Sequence, residues 1–300
     1  VSPKRLASLA ATRLMDTQSE EVFDRLTRLA STILEVPIAA VTLLDATRQY
    51  IKSGVGLDLE NQAVRNAAVG DSFCQHAVRA HKPFIVEDSR LESLTKDSAF
   101  VPDIISYAGI PITNGGEPLG AFCIADDKPR VWSDRDLAIL KDLSAAVESQ
   151  IAAHVMAIEA ERRRELIEAV IDTMGAGVMV ADANKRVTVI NAEARRLHGD
   201  TSFSGPLSER PQRLGLFRGD NSGHLTEQEL PLWRSTNGEH IADFQMIIRP
   251  PNQPGTTNYV SINARPLPAG GAVMIMHDQT RQRGLQRLAK RNEALYHKLA

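Results

Sequence analysis

The chain has 300 residues, 43% hydrophobic and 24% charged, with 35 Lys and Arg against 37 Asp and Glu for a formal net charge of -2. This is globular composition with no global field to favour nucleic acid or an anionic membrane. It excludes fibrous and disordered classes, and its length predicts two domains. The two cysteines, Cys74 and Cys123, are too few for a disulfide framework and fit no zinc spacing, so a reducing cytoplasm is the expected location. The longest apolar run, near Val36–Leu44, falls far short of the ~20 residues of a membrane span. No signal-peptide core follows Val1, and a start at Val leaves a trimmed chain and a fragment both open.

In chain order, Leu6, Leu9 and Leu14 give a loose helical face. Val22, Phe23, Leu26, Leu29, Ala30 and Ile33 recur at three-to-four-residue spacing, which predicts an amphipathic helix. Ser19 is its expected N-cap, with Glu20 and Glu21 in the first turn, and Pro37 blocks its continuation. Ile38–Leu44 reads as a buried strand and Gln49–Gly54 as its partner. Ser72–Ala80 reads as a short helix capped by Asp71 or Ser72, and Phe84–Val86 as a short strand. Ile104–Ile112 and Leu119–Ala125 are strands joined through Asn114-Gly115-Gly116-Glu117, a hairpin signal. Ser133 with Asp136 three residues on has the form of a capping box. Leu137, Leu140, Leu143, Val147, Ile151, Val155 and Ile158 then step by three or four, close to a coiled-coil seam. Residues 161–165 interrupt it, and Leu166, Ile167, Val170, Ile171 and Met174 resume it. One helix over residues 133–174 would run about 60 Å at 1.5 Å per residue, more than one domain, so it is expected to join two.

In the second half, Gly177–Asp182 and Arg186–Asn191 flank a tight turn as a hairpin. Ala192–His198 reads as a helix ended by Gly199, and residues 201–222, rich in Ser, Pro and Gly, as loop. His240–Ile248, Tyr259–Arg265 and Ala272–His277 read as strands, with Val260 and Ile262 on one face. Asp278 and Thr280 start a terminal helix, and Leu285, Leu288, Asn292, Leu295 and Leu299 form a heptad seam with Asn292 at an a position. The expected fold class is α+β: two domains, each an antiparallel sheet flanked by helices, joined by a long helix.

Leu14–Thr17, Glu21–Thr27, Val36–Ala39, Asp45, Arg48–Ser53, Ser72–Ala77, Tyr107–Pro111 and Leu119–Asp126 form an ordered series that resembles a bacterial GAF sensory domain over residues 1–155. Gly177–Asp182, Val189–Ala194, Glu229–Leu232, Gly238-Glu239, Ala264–Leu267 and Asp278-Gln279-Thr280 resemble a PAS domain over residues 164–283, with Gln279 where that exit usually has a hydrophobic residue. The resemblance implies a connecting signalling helix at 133–174 and a coiled-coil helix at 284–300. It also implies small molecules or cofactors between sheet and helices. The output such tandems serve is a histidine kinase, a diguanylate cyclase or a PP2C-type phosphatase. None of their signatures occurs in the sequence.

The thiols read in two ways. One GAF subfamily, free methionine sulfoxide reductase, uses cysteines, and Cys74 lies near an expected helix N-terminus, which favours a thiolate. Cys123, mid-strand in an apolar run, reads as packing. The bilin-attaching pattern of Cys followed directly by His is broken by Gln75 before His76. His76, His198 and His277 have no second ligand at metal spacing. Gly175-Ala176-Gly177 lacks the strand, third glycine and helix of a dinucleotide fingerprint. Residues 162–164, three arginines among Glu159, Glu161, Glu165 and Glu168, read as a solvated helix face.

The expected function is a non-enzymatic input module of two-component or phosphorelay signalling. It would bind a small ligand and act through dimeric helices on an output domain outside this chain. The alternatives are a methionine sulfoxide reductase using Cys74 and Cys123, and a ligand-free dimerisation scaffold. Candidate ligand residues are Phe73, Cys74, His76, Tyr107 and Phe122 in the first domain and Val180, His198, Phe244, Met246, Ile262 and Met274 in the second. Plain core is the alternative for the Met and Phe positions. The 285, 288, 292, 295 and 299 stripe is expected to pair in a parallel homodimer, Asn292 against Asn292. The ligand and any cofactor stay unidentified, and no metal, nucleic-acid or membrane partner is expected.

Overall fold

The computed structural model describes residues 2–199 and 210–299, with side chains at 2–199 and 211–289. Two compact units emerge, Val1–Glu161 and Arg162–Ala300. Among the described residues, no helix is long and apolar enough to cross a membrane.

In the first unit, α1 (Pro3–Thr12) starts on Ser2, whose hydroxyl accepts from the Arg5 N–H, with Pro3 at the first helical position. α2 (Glu21–Leu34) does not use Ser19 as its cap. Glu20 occupies that position without a side-chain cap bond, and its carboxylate lies 2.7 Å from the buried Lys52 ammonium instead. β1 (Ile38–Leu44), β2 (Gln49–Val55), β3 (Phe84–Val86), β4 (Ser106–Asn114) and β5 (Glu117–Asp126) pair antiparallel in the order β2-β1-β5-β4-β3. The β4–β5 turn is Gly115-Gly116, at φ 59° and 81°, the left-handed conformation a two-residue hairpin needs. Two short helices, α3 (Gln62–Arg65) and α4 (Cys74–Ala80), complete the unit's small elements. Neither Asp71 nor Ser72 caps α4: Phe73 holds the cap position, and the Ser72 hydroxyl donates to the Gln49 side-chain carbonyl.

The sheet has two buried faces, set by the period of two along each strand. Val41, Leu43, Ala108, Ile112, Phe122 and Ile124 pack with α2 and with α5 (Asp134–Thr173). Ala40, Leu44, Tyr107, Ala121, Cys123 and Ala125 pack with Phe73 and α4. The Ser133 hydroxyl accepts from the Asp136 N–H and the Asp136 carboxylate from the Ser133 N–H, 3.1 Å each, so the capping box forms. Only the first half of the α5 seam is covered within its unit: Leu140, Val147 and Ile151 are fully buried, whereas Met156, Leu166, Ile167, Val170 and Met174 are exposed.

In the second unit, β6 (Gly177–Ala181), β7 (Val187–Ile190), β8 (Leu216–Arg218), β9 (Ile241–Ile248), β10 (Asn258–Pro266) and β11 (Ala272–Asp278) pair antiparallel in the order β7-β6-β11-β10-β9-β8. α6 (Ala192–His198) ends at Gly199 in the left-handed conformation. The stretch expected to be loop contains α7 (Arg210–Arg213) and β8; residues 201–209 lie outside the described residues. These elements are short, and what fixes β8 is non-local, namely pairing with β9 and burial of Leu214 and Leu216. α8 (Pro231–Thr236) follows a 3-10 turn at Glu227–Glu229 whose capping box is Thr226 with Glu229. Asn191 knits three elements together. Its carbonyl accepts from the Val178 and Ala194 N–H groups at 2.7 and 3.0 Å, and its amide donates to the Ile171 and Ala176 carbonyls at 3.0 and 2.8 Å. α9 (Thr280–Leu299) leaves Leu285 and Leu288 exposed while Arg283 and Arg287 lie over the Tyr259 ring. Asn292, Leu295 and Leu299 lie outside the described side chains.

Candidate functional site

The first unit encloses a chamber of about 460 Å³ on the α4 side of its sheet. That volume falls in the range of small-molecule sites. Ile38, Ala40, Thr42, Ile51, Cys123 and Ala125 form the floor, supplied by alternate strand positions. Phe73 and Cys74 form a wall, with Tyr107 beside them. Leu57, Val64, Phe100 and Ile104 come from loops and α3. Gly56, Asp58 and Asp103 are exposed at the rim. Two carboxylates and no Lys, Arg or His lie among the lining residues.

Of the five residues nominated here, Phe73, Cys74 and Tyr107 line the chamber. Phe122 does not, because its neighbour Cys123 does: adjacent strand residues point to opposite faces, and Phe122 packs on the α2 and α5 side. His76 is half-buried outside the chamber, its ring 4.8 Å from that of Phe84. Burial and then Arg79 hold its pKa below the ordinary value. Asp58 and Asp103, the charged residues of the rim, carry no local sequence signal.

The two thiols meet in the chamber wall. Cys74 and Cys123 are free and buried, and their sulfurs are 3.7 Å apart. The Tyr107 hydroxyl donates to the Cys74 sulfur at 3.2 Å. The Cys123 thiol lies 3.6 Å from the Ala40 carbonyl oxygen. Hydrogen bonding from Cys123, aided by Thr42 and Tyr107, outweighs burial and brings Cys74 down to about 7. The same contact and burial push Cys123 up, so Cys74 is the more acidic of the two thiols. Burial also raises the Tyr107 phenol. Gly109 makes this arrangement possible: a Cβ there would meet the Tyr107 hydroxyl at 2.1 Å, so only a bare residue lets the ring lie along β4.

The second unit has a filled interior and an open surface cleft of about 540 Å³ lined by Arg218, Asp220, Glu229, Arg234, Phe244 and Arg283, so of its nominated residues Phe244 alone lines a sizeable space. The space around His198, Met246 and Met274 is about 30 Å³, closed by Leu214, Leu216, Leu230 and Leu232. That admits one water and no ligand. Ile262 is fully buried core. Phe244 packs half-buried against that core, with the Arg234 guanidinium over its ring. Val180 is the neighbour of buried Met179 in β6 and so points to the other face. Among the described residues, no group of three His, Cys, Asp or Glu is placed to hold a metal.

The family model of the GAF domain matches residues 18–151 and that of the PAS domain residues 165–234. A cyclic di-GMP phosphodiesterase of Pseudomonas aeruginosa is 33% identical over 143 residues, 46% of this chain and 24% of that protein. The chain thus spans about a quarter of the length of that relative. Similar solved structures include the GAF domain of an Acinetobacter phosphoenolpyruvate-protein phosphotransferase, at 16% identity and TM-score 0.40 over 53% of this chain and 98% of that one. Another is a free methionine-R-sulfoxide reductase of Neisseria meningitidis in complex with its substrate, at 15% and 0.40 over 52% and 95%. A third is a GAF domain/HD domain protein of Geobacter sulfurreducens, at 19% and 0.38 over 49% and 98%.

Proposed function

We propose, from a chain that carries a GAF domain and a PAS domain in tandem, that it is the sensory input region of a bacterial signalling protein, with the receptor site in the GAF domain. The observation that carries this reading is the chamber of about 460 Å³ with its mostly apolar lining, against a second unit whose interior space is about 30 Å³ and whose larger cleft, about 540 Å³, is an open one lined by five charged side chains. The GAF chamber suits a small organic compound with an apolar body. Its acidic rim and lack of cationic lining favour a neutral or cationic ligand over an anion. The PAS domain, with its core filled by its own side chains, serves as relay.

The output lies elsewhere, and the likeness to a cyclic di-GMP phosphodiesterase adds cyclic-dinucleotide turnover to the kinase, cyclase and phosphatase outputs expected from sequence. A homodimer in the cytoplasm is the proposed working form. The uncovered apolar residues of α5 and the exposed Leu285 and Leu288 of α9 support it. In this reading the chain itself is not an enzyme. The thiol pair favours the second reading, a methionine sulfoxide reductase, but free methionine sulfoxide carries a carboxylate, and no lining cation is there to meet it.

Native mass spectrometry of the freshly purified 300-residue chain tests the proposal, with the neutral dye N-phenyl-1-naphthylamine as probe. One dye per chain should bind, and Ala125→Phe, which fills the floor, should abolish it. Binding unchanged in that variant sinks the assignment to the GAF chamber. Reduction of free methionine sulfoxide by the parent chain, lost in Cys74→Ser, would install the second reading.

A further inference from the structure

We propose that Cys74 and Cys123 are a redox couple whose oxidant is an organic hydroperoxide admitted by the chamber, so that their disulfide is a second state of the sensor. This rests on the chamber being the receptor site. The two sulfurs come from α4 and β5 and stand 3.7 Å apart. A disulfide needs about 2.05 Å, so they must close by about 1.7 Å. α4 is seven residues long and its cap residue, Phe73, makes no side-chain cap bond, so no side-chain cap pins its first turn. Both cysteines line the same chamber, and any reagent inside meets both. The apolar floor selects a neutral oxidant with a hydrocarbon body.

Cys74 is the attacking sulfur: its thiolate is the favoured one, and the Tyr107 hydroxyl points at it. It attacks the terminal oxygen of the hydroperoxide. The O–O bond breaks, Cys74 becomes a sulfenic acid, and the alkoxide leaves as the alcohol with the proton of the Cys123 thiol. The Cys123 thiolate then displaces hydroxide from the Cys74 sulfur, forming the disulfide. Hydroxide takes up the proton Cys74 had first released, giving water. Two thiols and one hydroperoxide become one disulfide, one alcohol and one water, and the peroxide receives the two electrons. A small cellular thiol restores the couple by exchange.

The test uses the reduced 300-residue chain, in which these are the only cysteines. One equivalent of cumene hydroperoxide or of hydrogen peroxide is added, and free thiols, non-reducing electrophoresis and peptide mapping are followed. Both thiols should vanish together into an intrachain Cys74–Cys123 peptide. Cumene hydroperoxide should act at least about tenfold faster than hydrogen peroxide, since only it gains from the apolar floor. Cys123→Ser should stop at a sulfenic acid on Cys74 that dimedone traps, and Cys74→Ser should slow oxidation at least about tenfold. No intrachain disulfide, or equal rates for the two peroxides, overturns the proposal. If dye binding survives that failure, the redox couple alone is lost. If dye binding and the preference for cumene hydroperoxide fail together, the receptor reading falls as well.

Discussion

Gly109→Ala probes the packing that brings Tyr107 to Cys74. The new Cβ would sit 2.1 Å from the Tyr107 hydroxyl oxygen, 2.7 Å from Cζ and 2.8 Å from Cε1. Ordinary contact begins near 3.4 Å, so the hydroxyl must retreat by more than 1 Å and give up its 3.2 Å bond to Cys74. Overpacking of this kind costs about 1–3 kcal/mol. For a unit of this size each kcal/mol lowers the melting temperature by roughly 2–4 °C, so a drop of about 2–12 °C is expected by calorimetry. A second readout follows from the chemistry. Tyr107 donation favours the Cys74 thiolate, so its loss should move the midpoint of iodoacetamide alkylation of Cys74 upward in pH. Tyr107→Phe should give the same upward shift with less destabilisation, and Gly109→Ala should cost less on that background because the atom at 2.1 Å is gone. A Gly109→Ala chain that melts within about 1 °C of the parent, with an unchanged alkylation profile, refutes the reasoning.

Three further outcomes are expected. Asn191→Ala removes a helix cap and leaves buried groups unpaired, at a cost of about 2–4 kcal/mol; urea unfolding followed by Trp233 fluorescence in a Trp132→Phe background reads it in the second unit. Asp278 is pushed up by burial, but hydrogen bonds from Thr280 and Arg196 outweigh this and hold its pKa below the ordinary value. The carboxylate therefore stabilises above the unfolded pKa, near 3.9, and that contribution fades as pH falls through the folded value. Solvent screening limits it to about 1 kcal/mol, and Asp278→Asn should flatten that part of the acid profile measured by thermal melting. Lys52→Met should destabilise the first unit by about 2–4 kcal/mol in chemical denaturation, because Thr17, the Gln18 carbonyl and Glu20 lose their shared partner.

What could be read from sequence was what local chemistry determines. Ile38–Leu44, Phe84–Val86 and Ala192–His198 have the bounds expected, because apolar runs end at turn residues and Gly199 stops a helix without strain. Ser133 with Asp136 is a contact between residues three apart, so spacing suffices. Caps failed where a distant partner competed: Lys52 draws Glu20, and Gln49 draws Ser72. The chamber was half legible. Strand alternation alone forbids Phe122 and Cys123 from sharing a face, a signal present in the sequence. Asp58 and Asp103 are 45 positions apart in the numbering and meet only at a rim that folding makes. The filled PAS core was not legible, since closure by Leu214, Leu216, Leu230 and Leu232 depends on how four side chains pack.

The uneven burial along α5 gives that helix a gradient of local stability. Its early turns are held by Leu140, Val147 and Ile151 in the first core, and its Ile171 carbonyl is held by the Asn191 amide. From Met156 to Val170 no residue of the single chain is buried. That stretch stands on the helix propensity of Met, Ala, Glu, Arg and Leu and on exposed pairs such as Arg164 with Glu168. Opening free energy therefore dips in the middle of a continuous helix and rises toward both ends. Amide protons there exchange with solvent before those of either flank. A twist applied at one end is stored in, or lost from, this softest segment, so whatever covers its apolar side chains also sets how stiffly the two ends are coupled.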